Sequence, residues 1–374
     1  MSLLFQPVSI NKLELPNRFV RSATHEVAAD HEDQVTPALE KIMTDLAAGG
    51  VGLIISGIAY VHLAGRLWKP QLGLAQDSAI PGLRRLAQAV HAHGAKLAMQ
   101  LFHAGRERTR YSTEEGPALA ASVIPGDEVY DFPHREMSEE DIAEAVEAYG
   151  QAARRCQEAG VDAVQIHGAH GYLPSQFLSP HTNRRRDRWG GSLDNRLRLH
   201  REIARAIRKE TGPDYPILIK LGLVDSVPGA LQLDEGVEAA ARLAQAGYDC
   251  LEISQGLRAI GFKNSEFRTG IDSREKEAYF RDWTRQVKQR VKVPVMMVGG
   301  LRSLSLMEEV VAQGETDFVS LSRPLIREPD LVNRWRLNPD YHPRCISCNG
   351  CLLRIRERKP LACALDLEEK EAKD

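Results

Sequence analysis

The chain has 374 residues, 43% hydrophobic and 27% charged, an ordinary folded-protein composition with enough length for a large core. Lys+Arg 49 against Asp+Glu 51 leaves a formal charge of -2, which argues against an electrostatic nucleic-acid or membrane-surface binder. The N-terminal stretch has no basic region leading into a long apolar run, and no apolar run approaches the roughly 20 residues that span a bilayer, so a cytoplasmic protein is expected.

In chain order, apolar runs alternate with helical patterns. Arg18–Ala23 precedes a helix near Pro37–Ala48, and Val51–Tyr60 one near Ile80–Ala92. Ala95–Phe102 precedes a long loop and then Glu139–Glu158, with Ser138 as N-cap and Asp141 near a capping-box position. Val161–His167 leads to Leu193–Lys209, Tyr215–Leu221 to Asp234–Gln245, and Tyr248–Ser254 to Glu277–Arg290. Val293–Val298 precedes Leu304–Ala312, and Thr316–Leu321 precedes Asp330–Leu337. Gly160, Gly247 and Gly314 each close a helix just before the next strand. About eight such units, with strands reading as continuous apolar runs, predict an α/β protein built as a (β/α)₈ TIM barrel. A doubly wound sheet is the rival, but neither G-x-G-x-x-G nor a P-loop is present. The loops His103–Met137, Gly168–Gly191 and Gln255–Lys276 are long and leave the strand ends where barrel enzymes keep their sites. Residues 1–340 are read as the barrel and 341–374 as a Cys-rich C-terminal extension.

Strand ends carry the chemistry. The run Val161–Ile166 stops at His167, with His170 and Tyr172 just beyond. Two imidazoles and a phenol suit polarising a carbonyl and delivering a proton, and no carboxylate completes a metal-binding helix of the H-E-x-x-H kind. The third strand presents Gln100, His103 and Arg106. Gln100 either meets the donor–acceptor edge of a heterocycle or bonds a neighbouring strand. Lys220, inside ILIKLG, faces an anion or an electron-rich ring, or pairs with Asp225 or another acid. Gly299, Gly300, Ser322 and Arg323 follow the last two strands, the usual phosphate cradle of barrel enzymes. Cys156 and Cys250 read as core residues, whereas Cys345, Cys348, Cys351 and Cys363 crowd together as a metal or redox group would.

These segments resemble the old yellow enzyme family of FMN-dependent, NADH:flavin oxidoreductase-type ene-reductases. The likeness runs in order from LFQPVSINKLELPNRFVRSA through AMQLFHAGR, IHGAHGYLPSQFLSPHTNRRRDRWGGSLDNR, ILIKLG and VPVMMVGG to FVSLSRPLIREPDLV. It implies FMN held non-covalently at the barrel mouth, reduced by NADPH or NADH, and an activated alkene as the small-molecule substrate. By the resemblance, Gln100 and Lys220 meet the isoalloxazine, and Ser322 and Arg323 hold the phosphate beside Gly299 and Gly300. Ala23 and Thr24 lie under the ring, with Ile58 as a backbone contact. His167 and His170 grip the substrate carbonyl, and Tyr172 is the general acid. His25 stands where relatives often carry Cys or Thr near the flavin O4, so their redox tuning does not transfer.

The extension, PRCISCNGCLLRIRERKPLACAL, resembles the four-cysteine [4Fe–4S] motif of the 2,4-dienoyl-CoA reductase and trimethylamine dehydrogenase branch, with its middle spacing one residue shorter. Iron–sulfur, ahead of zinc, is expected at the four thiols, with free, metal-less thiols the alternative. That branch carries a large C-terminal flavin and nucleotide half; here Asp374 is the last residue, so a cluster is expected to use a separate electron-transfer protein. An amine dehydrogenase or demethylase, or a dienoyl-CoA-type reductase, is the alternative function. A zinc-ribbon interaction module at 340–374 on a decayed barrel is a third. A homo-oligomer is expected, with Arg354, Arg356 and Arg358 either reaching a neighbouring subunit or forming a solvated helix face.

Overall fold

The computed structural model describes residues 2–124, 132–258 and 265–372. Eight parallel strands close into a barrel in sequential order. They are β1 Phe19–Arg21, β2 Leu53–Tyr60, β3 Lys96–Phe102 and β4 Ala163–Gly168. The circuit continues through β5 Ile217–Val224, β6 Cys250–Gln255, β7 Val295–Met297 and β8 Phe318–Leu321. The closed circuit excludes the doubly wound rival.

Strands begin one or two residues after the apolar runs do, because the first apolar residue belongs to the preceding helix end. Val161 donates its N–H to the Cys156 carbonyl, and Tyr248 donates to Leu243. Both follow a glycine at positive φ, Gly160 at 82° and Gly247 at 103°, which turns the chain back under the helix. The helices Pro37–Ala48, Glu139–Glu158 and Leu304–Ala312 fall where expected. Ser138 and Asp141 form a complete capping box. The helix expected from Glu277 begins instead at Arg281. Glu277 stays extended, and its carboxylate accepts from the backbone N–H groups of Arg302 and Ser303 at 2.7 and 2.8 Å.

An antiparallel hairpin, Val8–Ile10 with Leu13–Leu15, plugs the N-terminal end of the barrel. Ile10 and Leu15 pack on a layer of inward-facing side chains that includes Val20, Leu53, Ala98, Leu218, Met296 and Phe318. Cys156 and Cys250 are fully buried, as core residues should be. Two of the long strand-end loops include residues 125–131 and 259–264, which lie outside the described residues. Among the described residues no helix is long and apolar enough to cross a membrane.

Candidate active site

The C-terminal mouth of the barrel holds a cavity of about 360 Å³. Its floor is laid by register. Gln100 on β3 pairs with Gln165 on β4, and Lys220 on β5 pairs with Glu252 on β6. Their side chains meet in the barrel interior: Gln100 Nε2 donates to Gln165 Oε1 at 2.7 Å, and Lys220 Nζ lies 2.8 Å from Glu252 Oε2. For both residues the structure bears out the pairing reading, and it leaves both at the cavity lining. Each bonds a neighbouring strand and also lines the cavity, and the acid that meets Lys220 is Glu252, not Asp225.

The segment after β1 is pinned from below. Arg21 donates to the carbonyls of Ile55 and Thr24 and pairs with Glu26 at 2.8 Å. Glu26 in turn accepts from Gly57 N–H at 2.9 Å, inside the β2 bulge between Ile55 and Ile58. A Cβ at Gly57 would lie 2.1 Å from Glu26 Oε2, so only glycine admits this carboxylate. Ala23, Thr24 and His25 are thereby held along the cavity edge, facing Ile58. Thr24 Oγ1 lies 2.8 Å from Ser322 Oγ. His25 stacks on Trp68 with centroids 5.5 Å apart, and burial lowers its pKa to about 3. Both of its ring nitrogens are buried without a hydrogen-bond partner.

At the far end Gly299 and Gly300 have φ of 121° and 75°, and a Cβ on either would approach the Tyr279 ring to 2.9 Å. Both glycines are thus required by backbone conformation and by Tyr279. Arg323 donates to the Arg268 carbonyl and to Asn349 Oδ1, both at 2.7 Å, and so presents its guanidinium from a fixed position.

One wall carries the aromatic set. The His167 centroid is 5.0 Å from that of His170 and 4.7 Å from that of Tyr172. Burial holds both imidazoles well below their ordinary pKa, so they are neutral at pH 7. His167 Nδ1 accepts from Ala169 N–H at 3.4 Å, which puts its proton on Nε2. His170 has φ 61°, with Nε2 2.8 Å from Ser254 Oγ and Nδ1 3.7 Å from Glu266 Oε1. Burial raises the Tyr172 phenol, against the pull of Arg258. The Arg258 guanidinium sits 5.7 Å from the Tyr172 ring centre and pairs with Glu266 at 2.6 Å.

Every residue expected to hold flavin or substrate lines this cavity. His103 and Arg106 do not. His103 is fully buried against Gly65, where a Cβ would meet its ring at 2.5 Å. Ser254, Arg258, Glu266 and Asn349 also line the cavity and were not anticipated. The extension folds over the same mouth: Leu361 N–H donates to the Glu26 carbonyl at 2.8 Å, and Arg356 lines the cavity of its own chain. Cys345, Cys348, Cys351 and Cys363 surround a second, small cavity that shares Arg323, Asn349 and Cys351 with the first. Among the described residues no three His, Cys, Asp or Glu side chains are set to hold a single metal ion.

Residues 3–338 match the family model described as the NADH:flavin oxidoreductase / NADH oxidase family. The chain belongs to that family. It is 36% identical over 329 residues to an NADPH dehydrogenase of Geobacillus sp. (strain WCH70), covering 88% of this chain and 92% of that protein. It is 34% identical over 370 residues to a metal reductase of Desulforamulus reducens, covering 98% of this chain and 54% of the relative. The structure of 2-naphthoyl-CoA reductase in complex with 2-naphthoyl-CoA matches with TM-score 0.88 at 29% identity, covering 96% of this chain and 56% of that one. The chain thus spans about half the length of these last two proteins.

The cavity fits the flavin of an NADH:flavin oxidoreductase. It joins an amide and an ammonium at its floor to hydroxyls and a guanidinium at one end. It also faces His25, whose two buried nitrogens lack any partner of their own. At a cavity edge, unlike in the packed interior, such nitrogens are within reach of a hydrogen-bonding occupant.

Proposed function

We propose that the protein is an FMN-dependent NAD(P)H oxidoreductase that reduces the C=C bond of α,β-unsaturated carbonyl substrates. The observation that carries this reading is the neutral His167–His170–Tyr172 wall standing over the Gln100–Lys220 floor. FMN, when bound, supplies hydride-transfer chemistry between nicotinamide and alkene. Gln100, Lys220 and His25 would meet its ring, with Ala23 and Thr24 under it; Ser322 and Arg323 would meet its phosphate-bearing tail.

The protein's own groups then do the rest. His167 Nε2–H donates to the substrate's carbonyl oxygen, and its neutrality makes it a hydrogen-bond donor that does not give up its proton. Ser254 and Glu266 face the two ring nitrogens of His170 and fix its ring against His167, so His170 would share the substrate's oxygen only by turning a nitrogen away from one of them. Tyr172 retains its hydroxyl proton at neutral pH and delivers it to the α-carbon. The phenolate left behind faces the Arg258 guanidinium, which favours the charged form.

The test is anaerobic mixing of the purified yellow protein with NADPH or NADH. Bleaching of the flavin bands, then recovery on adding cyclohexenone or N-ethylmaleimide, is the expected result. Bleaching by an amine and not by nicotinamide would instead support an amine dehydrogenase.

A second reading rests on the cysteine cavity. Four thiols converging beside the flavin cavity suit a [4Fe–4S] cluster, which supplies one-electron transfer when bound. In that case a dienoyl-CoA-type reductase fed by a separate electron-transfer protein is the function. Iron and sulfide analysis of protein purified without air tests it: about four of each per chain supports the cluster, and neither removes it.

A further inference from the structure

A carboxylate stands inside the barrel beneath the cavity. Glu252 is 1% exposed and makes three contacts: Ser22 Oγ at 2.7 Å, Gln165 Nε2 at 2.9 Å and Lys220 Nζ at 2.8 Å. Ser22, Gln100, Gln165 and Lys220 are equally buried. Together they form one connected polar group inside the barrel.

The group has a direction. An ionised carboxylate only accepts hydrogen bonds. Gln165 must therefore turn its NH₂ toward Glu252, which points its carbonyl at Gln100, and Gln100 must answer with an N–H. That leaves Gln100 its other N–H and its carbonyl oxygen. Ser22 likewise donates to Glu252 and so accepts from Lys220 at 2.9 Å. One charge thus fixes how both Gln100 and Lys220 present themselves to the cavity. Burial opposes ionisation of Glu252, but Lys220, Ser22 and Gln165 outweigh it and hold the carboxyl below its ordinary range.

The charge also has a sign. Reduction adds electron density to a flavin ring, and an unopposed ammonium at the floor would favour the reduced form. A carboxylate 2.8 Å from that ammonium takes back much of that preference.

Resting on the FMN reading above, we propose that Glu252 is a positioning residue for the flavin: it fixes the donor pattern of Gln100 and Lys220 and holds the potential of the bound flavin low. Glu252→Gln removes the charge with little change of shape. The experiment measures the dissociation constants of oxidised and of reduced FMN from apoprotein, without air, with the midpoint potential read by dye equilibration. In Glu252→Gln the preference for reduced over oxidised FMN should rise about tenfold, an upward shift of about 30 mV for a two-electron couple. Glu252→Asp should shift it the same way by less, and it serves alone if the Gln variant does not fold. Gln165→Met keeps the charge and breaks the relay to Gln100, so it should weaken both forms of FMN alike and leave the ratio in place. Equal weakening of both forms in Glu252→Gln, or a fall in the ratio, overturns the proposal and leaves Glu252 a structural residue. Wild-type protein that takes up no FMN overturns the FMN reading itself, and this proposal with it.

Discussion

The barrel interior has two layers, and they share the same strands. Along six strands one inward residue is apolar or nearly so, and the inward residue two places on is polar. The pairs are Val20 and Ser22, Ala98 and Gln100, Ala163 and Gln165, Leu218 and Lys220, Cys250 and Glu252, and Phe318 and Ser320. Two residues of strand are only about 7 Å. Over that distance the backbone ladder is unchanged, and the side chains turn from a packed plug into a charged floor. The comparison separates two jobs. The lower layer supplies burial, while the upper layer holds polar groups whose burial is costly unless they are paired.

The largest expected effects test that division directly. Phe318→Ala opens a hole in the lower layer and should destabilise the protein by about 3–5 kcal/mol in chemical denaturation. A loss under about 1 kcal/mol would mean that the plug is not what holds the barrel. Lys220→Met should cost about as much for a different reason, because it strands the Glu252 charge. Adding Glu252→Leu should then recover most of that loss, since a packed apolar pair replaces an ion pair at little net cost. No such recovery would follow if the upper layer contributed stability in its own right.

Next in size is an effect on rate. Tyr172→Phe should slow alkene reduction by about 10²-fold, while flavin reduction by nicotinamide stays near wild type. Stopped-flow measurement of the two half-reactions decides it, and an equal fall in both would remove Tyr172 from the proton-donor role.

The two layers also differ in how well the sequence displays them. Eight βα units are legible because turn residues such as Gly160 and Gly247 close a helix just before the next apolar run, and both glycines have positive φ. His167, His170 and Tyr172 are legible because they are contiguous and break an apolar run. Lys220 is legible by the same logic, as a charge among aliphatic neighbours. Glu252 carries an identical signal in CLEIS and could have been found the same way. Ser254, Arg258 and Glu266 give no such signal, since they lie at and beyond a strand end where polar residues are ordinary. Arg356 reaches the cavity only because the extension folds back over the mouth, a long-range contact that local pattern does not encode. His103 shows the converse: a histidine just past a strand end that packs inward against Gly65 and away from the cavity.

The smallest effect lies outside both layers. His200, on the helix Arg198–Thr211, is fully buried with neither ring nitrogen hydrogen-bonded. Burial lowers its pKa from 6.5 to about 3, so the folded state keeps it neutral. The unfolded chain binds a proton there below pH 6.5 and the folded chain does not, so stability is complete above that pH and is lost as pH falls toward 3. The share of one such histidine is about 1.4 kcal/mol per pH unit. His200→Leu removes both the unpaired polar atoms and this proton linkage. It should gain about 1 kcal/mol at pH 7 and about 2 kcal/mol more at pH 5, read as the difference from wild type in urea unfolding. The other buried histidines are common to both proteins and cancel in that difference. A gain that is the same at both pH values would show that the folded chain binds this proton as readily as the unfolded one, and the linkage would be refuted.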